Sequence, residues 1–387
     1  MARFQSAVSL NVSVFFLMVG VGLTVSLLPA RMAALSGSYS DVGCLASCFA
    51  LPFVLLQVPM GTLADRYGCT WFLVAGYAVC GFAALAYGLA ETPSILYLGR
   101  FLQGVGEVPV WALAPALLSM DWAEGRGKIL GLYNASMHLG LTAGGLLGLL
   151  LCDSWGGTGA FWLLAATGFS GGIVVLLGVG KNEGTGSPRS GGWHLTSAWA
   201  LVATRETRAV FSGVVLYGCG YGVFLTVIPM SLVAGRGGGE NAVSLFFVLF
   251  YVAVGLAQLM GGALSDKAGR VATMILGLIL AGSCLPLAVW ASGPALLSSL
   301  AMAGFGLGVF CVSAMAALSE SVPISRRGTV SGAFYLAWGA GFFTGPMLLG
   351  TASDHGGFGP GLLVFSALIL GNAGVLAAGF GCGRAVA

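Results

Sequence analysis

Residues 61–68 read Gly-Thr-Leu-Ala-Asp-Arg-Tyr-Gly, a short charged turn between two long apolar segments. Nearly the same turn returns 201 positions later, at residues 262–269, as Gly-Ala-Leu-Ser-Asp-Lys-Ala-Gly. A polar turn that recurs at the same place in two apolar halves indicates an internal duplication in a membrane protein.

The composition agrees with a membrane protein. Of the 387 residues, 57% are hydrophobic and 7% are charged, and the mean hydropathy is +0.95. Soluble domains carry about a quarter charged residues, so a soluble protein is excluded. The 64 glycines suit membrane helices, because small side chains let such helices approach each other closely. We therefore predict an integral membrane protein that contacts the lipid bilayer and no nucleic acid.

Twelve apolar segments are long enough to cross a bilayer, which requires about 20 residues. The first could also be a removable signal peptide, but its Gly20 and Pro29 recur as Gly220 and Pro229, so we interpret it as a span. The fold class is thus predicted to be all-α and polytopic, with twelve transmembrane helices. We place the spans near residues 3–29, 42–62, 71–90, 94–119, 129–151, 159–180, 209–233, 242–262, 272–291, 294–319, 329–351 and 359–381.

The spans divide into two halves of six. We expect one six-helix bundle over residues 1–180, a cytoplasmic linker over 181–208 and a second bundle over 209–387. Matching residues at the offset of 201 include Gly140 with Gly341 and Asp153 with Asp354. Because six is an even number, the two halves are predicted to be parallel repeats with the same orientation.

Basic residues set the predicted orientation. If the N-terminus is cytoplasmic, 13 of the 16 Lys and Arg residues fall on the inner side; Arg31 and Arg236 fall on the outer side, and Arg100 lies within a helix. Basic residues are enriched in cytoplasmic loops. We therefore expect a protein of a bacterial-type inner membrane with both termini in the cytoplasm.

Two motifs make the chain resemble the major facilitator superfamily over essentially its whole length. The first, Gly61-x-Leu63-Ala64-Asp65-Arg66-x-Gly68, is similar to the family's loop signature between helices 2 and 3, although Cys69 and Thr70 stand where that signature continues with two basic residues. The second, Arg100-x-x-Gln103-Gly104-x-Gly106, is similar to a helix-4 pattern of proton-coupled members. The resemblance implies a secondary transporter.

A third motif matches in part. The family's antiporter signature in helix 5 combines spaced glycines with a Gly-Pro pair; here Gly140 and Gly144 are present without the proline, which appears in the second half as Pro346. The nearest resemblance is to the twelve-helix drug:proton antiporter branch. It implies export in exchange for protons.

The resemblance also implies a conformational latch at both turns. In this interpretation Asp65 lies against the N-terminus of helix 11, where the helix dipole favours a carboxylate by about 0.3–1 kcal/mol, and Arg66 bridges toward Asp121. The alternative is that these residues are ordinary loop charges that fix the topology. The matching set in the second half is Asp266, Lys267, Arg270 and Glu320.

Predicted helix 4 carries a polar face. Arg100, Gln103 and Glu107 are spaced i, i+3, i+7, and Trp111 returns to the same face. Ionised groups within a span cost at least about 2.5–3.5 kcal/mol each, so they usually pair and face a cavity, and we expect this face to line the pathway. Glu107 is the candidate for proton or substrate binding. The alternative is a structural ion pair with Arg100.

Other polar and aromatic residues are weaker candidates. On predicted helix 5, Asn134 and His138 fall four residues apart, and His138 could titrate, bind substrate or simply bond a neighbouring helix. The second half contains aromatic residues that could line a cavity or simply pack against their neighbours. A cavity with polar residues from the first half and aromatic residues from the second would suit an amphiphilic or lipophilic solute. These lining candidates are Tyr217, Tyr221, Gln258, Tyr335 and Trp338.

The sequence thus favours a secondary active transporter that works by alternating access on a small organic solute, with protons as the coupling ion. We expect a monomer without cofactor or bound metal. A transport ATPase is disfavoured, because no Gly-x-x-x-x-Gly-Lys-Ser/Thr loop occurs. An intramembrane enzyme is also disfavoured, because neither a His-Glu-x-x-His motif nor a membrane pair of catalytic carboxylates occurs. An uptake carrier or facilitator for a small organic anion or metabolite, anchored by Arg100, remains the main alternative, and a non-transporting receptor or scaffold of the same fold is a more distant one.

Overall fold

The computed structural model describes residues 2–121, 126–151, 158–180, 204–233, 241–322 and 327–381. These residues form twelve long helices and contain no strand. The predicted linker at 181–208 lies almost wholly outside the described residues. The helices are α1 Ala2–Ser36, α2 Tyr39–Tyr67, α3 Cys69–Gly88, α4 Pro93–Asp121, α5 Arg126–Leu151, α6 Gly159–Gly178, α7 Arg205–Leu225 with a short continuation at Val227–Ser231, α8 Ala242–Ala268, α9 Arg270–Trp290, α10 Gly293–Glu320, α11 Arg327–Gly356 and α12 Phe358–Gly381.

The all-helical, two-repeat architecture predicted from the sequence is confirmed. Ten of the helices in the described part of the chain are long and apolar enough to cross a membrane. The other two long helices are α5 and α11, which occupy the same position in the two repeats. Both contain several glycine and hydroxyl-bearing residues.

The duplicated turn has the same backbone conformation in both repeats. α2 is followed directly by Gly68, with φ of 88°, and α8 is followed directly by Gly269, with φ of 92°. Each glycine N–H donates to a carbonyl four residues earlier, at 2.8 Å to Ala64 and at 3.2 Å to Ser265. Side chains other than glycine rarely tolerate a positive φ, so the two glycines explain why the chain can reverse here within one residue.

The chain forms two compact units. Unit 1 comprises Met1–Ser36 with Cys48–Gly192, and unit 2 comprises Gly37–Ser47 with Trp193–Ala387. Inside unit 1, α1 packs on α5 and α6, and α3 packs on α4 and α6; inside unit 2, α7 packs on α11 and α12, and α9 packs on α10 and α12. Each unit therefore repeats the same helix pairings.

Glycine makes the tightest of these pairings possible. A Cβ added to Gly144 of α5 would overlap the backbone of α1 at Val19 and Leu23, and one added to the equivalent Gly345 of α11 would overlap Cys219 of α7. Membrane helices gain no hydrophobic driving force from each other, so they depend on such close backbone contact.

Gly144→Ala should destabilise the protein by about 1–3 kcal/mol, because the added methyl group meets backbone that cannot move aside. Gly371→Ala is the matched control, since a Cβ there meets nothing within 4 Å. Thermal unfolding in detergent, followed by tryptophan fluorescence, should show a lower melting temperature for Gly144→Ala alone. Equal melting temperatures for the two variants would contradict this packing.

Candidate functional site

Helix α4 holds a column of polar side chains inside unit 1. Arg100 and Glu107 are each 2% exposed, and Gln103 is fully buried. We call Arg100, Gln103, Glu107 and Trp111 the α4 column. The predicted shared face is therefore present, but its first three members lie in the interior of the unit and are not open to solvent.

Gln103 connects the two charged groups of the column. Its side-chain oxygen accepts a hydrogen bond from Arg100 Nη1 at 3.1 Å and another from the Tyr87 hydroxyl at 2.6 Å. Its side-chain nitrogen donates to Glu107 Oε1 at 2.8 Å. The Gln103 amide therefore connects Arg100 to Glu107. Among the ion pairs of the described residues, none joins Arg100 directly to Glu107.

The chemistry of Arg100 fixes the orientation of this amide. A guanidinium can only donate hydrogen bonds, so the oxygen of Gln103 must face Arg100 and its NH2 group must face Glu107. Glu107 consequently receives a donor whether or not it is ionised. Arg100 therefore influences Glu107 through the position of Gln103.

Trp111 completes the column at its other end. Its indole Nε1 donates to Glu107 Oε2 at 3.0 Å, so each oxygen of Glu107 accepts one hydrogen bond. Trp111 is half-buried, whereas Glu107 is buried. The indole is therefore the member of the column that separates the acid from the surface of unit 1.

Two neighbours of the column were missed by the sequence analysis. The guanidinium carbon of Arg100 lies 5.0 Å from the centroid of the Phe49 ring on α2, a cation–π contact, and Tyr87 reaches Gln103 from α3. Neither belongs to the α4 pattern, and their positions depend on how the helices are rotated against each other. Tyr87 lies near the end of the apolar segment that forms α3, and nothing in the sequence around it indicated a functional residue.

On α5 the predicted polar stripe bonds mainly to its own helix. His138 Nδ1 lies 2.9 Å from the carbonyl oxygen of Asn134, and Thr142 Oγ1 donates to the His138 carbonyl at 2.8 Å. Asn134 is exposed and His138 is half-buried. These two bonds tie His138 to its own helix.

Unit 2 contains an aromatic cluster centred on Tyr221 of α7. Its ring lies 5.6–6.1 Å from the rings of Tyr217, Phe250, Trp338 and Phe342. Tyr217 and Phe342 are buried, whereas Tyr221 and Trp338 are half-buried. Of the other predicted lining residues, Tyr335 packs edge-on against Phe334, and Gln258 is half-buried on α8.

The structure brings together three of the four predicted latch residues of the second half. Arg270 lies at the start of α9, where its Nη2 is 2.7 Å from Glu320 and its Nη1 bonds Asp266. Lys267 is exposed. The guanidinium of Arg270 thus ties the end of α8 to the end of α10.

The first-half latch is only partly described. The guanidinium of Arg66 lies 5.2 Å from the ring of Tyr67, and both side chains are exposed. The side chains of Asp65 and Asp121 lie outside the described residues, so their predicted contacts stay a prediction. Gly61 lies within α2, and Gly68 ends it.

Two repeats of apolar helices, long enough to cross a membrane, form an integral membrane protein of the kind that transports small solutes. The chain belongs to the Major Facilitator Superfamily, which it matches over residues 10–208 and 210–382. The family and the relatives described next are transporters and not enzymes.

Similar proteins cover most of the chain at low identity. An uncharacterized MFS-type transporter of Methanocaldococcus jannaschii is 21% identical over 361 residues, covering 89% of this chain and 90% of its own. The chromaffin granule amine transporter of Rattus norvegicus is 24% identical over 350 residues, which cover 88% of this chain and 65% of the transporter. The solved structure of a mutant of the nucleoside transporter NupG covers 97% of this chain with a TM-score of 0.79 and 14% identity. That structural likeness supports the fold.

Gln103→Met should destabilise unit 1, because it leaves Arg100, Tyr87 and Glu107 without their shared partner, and each buried group left unsatisfied costs about 1–3 kcal/mol. Gln57→Met is a matched control, since the side-chain oxygen of Gln57 is buried without a hydrogen-bond partner. Thermal unfolding should show a large drop for Gln103→Met and little change for Gln57→Met. Similar unfolding of both variants would mean that the bridge contributes nothing to stability.

Proposed function

We propose that the protein is a proton-coupled antiporter that exports a lipophilic or amphiphilic organic compound by alternating access. The observation that carries this proposal is the acid inside α4. Glu107 is buried and accepts one hydrogen bond from Gln103 and one from Trp111. Buried ionisable residues within membrane spans are costly, and they mark ion and proton pathways more often than structural contacts.

The hydrogen bonds of the α4 column stabilise Glu107 as a carboxylate. When Glu107 is ionised, the Gln103 amide and the Trp111 indole each donate one hydrogen bond to it, and Arg100 lies one amide away. When Glu107 is protonated, its O–H group must donate elsewhere, because both of these neighbours are donors, and burial away from water favours this neutral form. Glu107 therefore acts as the proton carrier, and Arg100 and Gln103 position it.

Unit 2 and the relatives support an organic solute. The half-buried Tyr221 and Trp338 offer ring faces that suit an apolar or cationic compound. The similar proteins are named as transporters of an amine and of a nucleoside, which are both organic molecules with apolar and polar parts. We assign Tyr217, Tyr335 and Gln258 to the same solute-contacting role, and His138 and Asn134 to a second polar surface.

The proposal includes the organisation expected from the sequence. Residues 1–180 and 209–387 act as the two halves, with residues 181–208 as their cytoplasmic linker. The protein works as a monomer in a bacterial-type inner membrane, and both termini are cytoplasmic. The basic residues at the predicted inner ends of the helices support this orientation.

Conformational latches at the two equivalent turns complete the proposal. The ion pairs of Arg270 with Asp266 and Glu320 support a latch role in the second half. Exposed ion pairs contribute only about 0–1 kcal/mol, so contacts of this kind can be broken in each transport cycle. Asp65 and Arg66 match Asp266 and Lys267 by the repeat, and we assign Asp65, Arg66 and Asp121 to the latch of the first half.

Asp65→Asn should slow transport and leave the affinity for the solute unchanged, because the latch contributes to conformational change and not to binding. The maximal rate and the half-saturating solute concentration in membrane vesicles separate these effects. Glu91→Gln, which changes an exposed acid between α3 and α4, provides the control. An unchanged maximal rate for Asp65→Asn would exclude the latch.

A second candidate function is an uptake carrier for a small organic anion. It is favoured by Arg100, whose Nε atom is buried without a hydrogen-bond partner. A carboxylate could use that donor after a rearrangement of the column. In this case the cationic Arg100, and not the acid Glu107, would be the essential residue.

Glu107→Gln should abolish solute-driven proton movement, because glutamine keeps the shape of the side chain and cannot carry a proton. The assay uses proteoliposomes that contain an internal pH dye and are screened with lipophilic cations, neutral drugs and organic anions. Wild-type protein and Glu91→Gln should move protons opposite to an accepted solute, and Glu107→Gln should not.

The same assay distinguishes the two candidates. Solute movement without any proton flux in wild-type protein would reject antiport and favour the anion carrier if the accepted solutes are acids. Proton flux that persists in Glu107→Gln would leave antiport possible and remove Glu107 from the coupling role.

A further inference from the structure

The neutral form of Glu107 needs a hydrogen-bond acceptor that its bonded partners in the α4 column do not provide. Gln103 and Trp111 both present N–H donors to the two oxygens of Glu107. These donors suit a carboxylate, whereas a protonated carboxyl group also has an O–H that must find an acceptor. A buried donor left without a partner is costly, so a neighbour of Glu107 should accept this hydrogen bond whenever the acid carries a proton.

The candidates for this acceptor come from the helices packed against α4. In the described part of the chain, α1 contacts α4 but carries its two arginines near its ends, and α2 meets α4 through Phe49 at Gly104. An arginine only donates hydrogen bonds, so Arg100 on α4 itself is also excluded. The remaining titratable groups that interact electrostatically with Glu107 lie on α3 and α5: Tyr77, Cys80, Tyr87 and Tyr133.

Two of the groups on α3 belong to other contacts of Gln103. The Tyr87 hydroxyl is bonded at the oxygen end of the Gln103 amide, whereas Glu107 lies at the nitrogen end. Tyr87 is also hydrogen-bonded to Arg100. The thiol of Cys80 approaches the backbone carbonyl of Gln103 at 4.0 Å, and a thiol is only a weak acceptor. Neither group is therefore suited to accept the O–H of Glu107.

The third group on α3, Tyr77, is directed toward other helices. Its hydroxyl is hydrogen-bonded to Ser13 of α1. Its ring packs against α6, because a Cβ added to Gly171 would lie 2.6 Å from Tyr77 Cδ1. These contacts hold Tyr77 between α1 and α6, so it is a weaker candidate than a hydroxyl that contacts α4.

Tyr133 of α5 is the candidate whose hydroxyl lies against α4. It is fully buried and donates to the carbonyl oxygen of Val110 at 2.9 Å. A carbonyl can only accept, so the single hydroxyl proton of Tyr133 is directed at Val110, and the hydroxyl oxygen keeps its own acceptor sites. Val110 follows Glu107 by three residues, which places the two on adjacent positions of the α4 surface. Tyr133 thus brings an acceptor to within about one helical turn of the acid.

We propose that the Tyr133 hydroxyl oxygen accepts the O–H of protonated Glu107, so that Tyr133 positions the neutral acid as Gln103 and Trp111 position the carboxylate. This inference rests on the proposed function, in which Glu107 carries the proton. The covalent change is the transfer of one proton from hydronium to a carboxylate oxygen of Glu107, and Tyr133 keeps its own proton. Loading turns the carboxyl group toward α5, and release turns it back to its two donors.

Infrared difference spectra between acidic and alkaline pH test this hydrogen bond in the purified protein. In each background, the C=O stretching band of Glu107 is isolated by subtracting the spectrum of the same protein with Glu107→Gln added. Tyr133→Phe removes the hydroxyl and keeps the ring. Tyr77→Phe is the matched control, because it also removes a buried tyrosine hydroxyl from unit 1.

Tyr133→Phe should shift the Glu107 band to higher frequency, because the neutral carboxyl group loses a hydrogen bond. The midpoint of the band's titration should move to lower pH by roughly half a unit to one unit, since the neutral form is destabilised by about one ordinary hydrogen bond. Trp111→Phe should move the midpoint in the opposite direction, because it removes a donor that favours the carboxylate. Tyr77→Phe should change neither the frequency nor the midpoint.

An unchanged frequency and midpoint in Tyr133→Phe would overturn the role of Tyr133 and leave Glu107 as the proton carrier. Equal changes in Tyr133→Phe and Tyr77→Phe would do the same. A lower midpoint with an unshifted band and faster exchange of the O–H in deuterated water would show entry of water, and would also overturn the inference. Absence of a Glu107 band in the protein with Tyr133 intact would overturn both this inference and the proposed role of Glu107.

Discussion

The hydrogen bonds of Gln103 are the interaction that satisfies the buried charges of unit 1. A buried guanidinium and a buried carboxyl group in one apolar helix each need a partner, and the Gln103 amide serves both, with the Tyr87 hydroxyl as its third contact. Because a guanidinium only donates hydrogen bonds, the direction of the amide is determined by Arg100. The same side chain joins α4 to α3 through Tyr87 and bonds Glu107, so it links the packing of these two helices to the environment of the acid.

The two repeats share a backbone and differ in chemistry. Glycines with positive φ end the duplicated turn in both repeats, and glycines at equivalent positions let α1 approach α5 and α7 approach α11. In α10, however, the positions that match the α4 column by the offset of 201 are Ala301, Gly304, Gly308 and Val312. Duplication therefore preserved the close helix contacts, whereas the buried charges are confined to one copy of this helix. The aromatic cluster around Tyr221 developed in the other unit.

Periodicity and repetition were enough to predict the twelve helices and the shared polar face of α4, because these features depend on local spacing along the chain. The full burial of Arg100, Gln103 and Glu107 was not predictable in the same way, since it depends on the rotation of α4 against α2 and α3. The partners Phe49 and Tyr87 were missed for that reason. Asp354 was recognised from the sequence only as a marker of the repeat, and its contacts with Ser38, Tyr39 and Ser40 became visible only in three dimensions.

Infrared difference spectroscopy of the purified protein between acidic and alkaline pH would test the central claim most directly. We predict the C=O stretching band of a neutral carboxyl group at acidic pH, and its loss at alkaline pH. After transfer to deuterated water this band should move to the frequency of the deuterated group slowly, because Glu107 is buried. The band should be absent from Glu107→Gln and present in Glu91→Gln. Identical titrating bands in wild-type protein and Glu107→Gln would show that another group carries the proton, and would reduce the α4 column to a structural role.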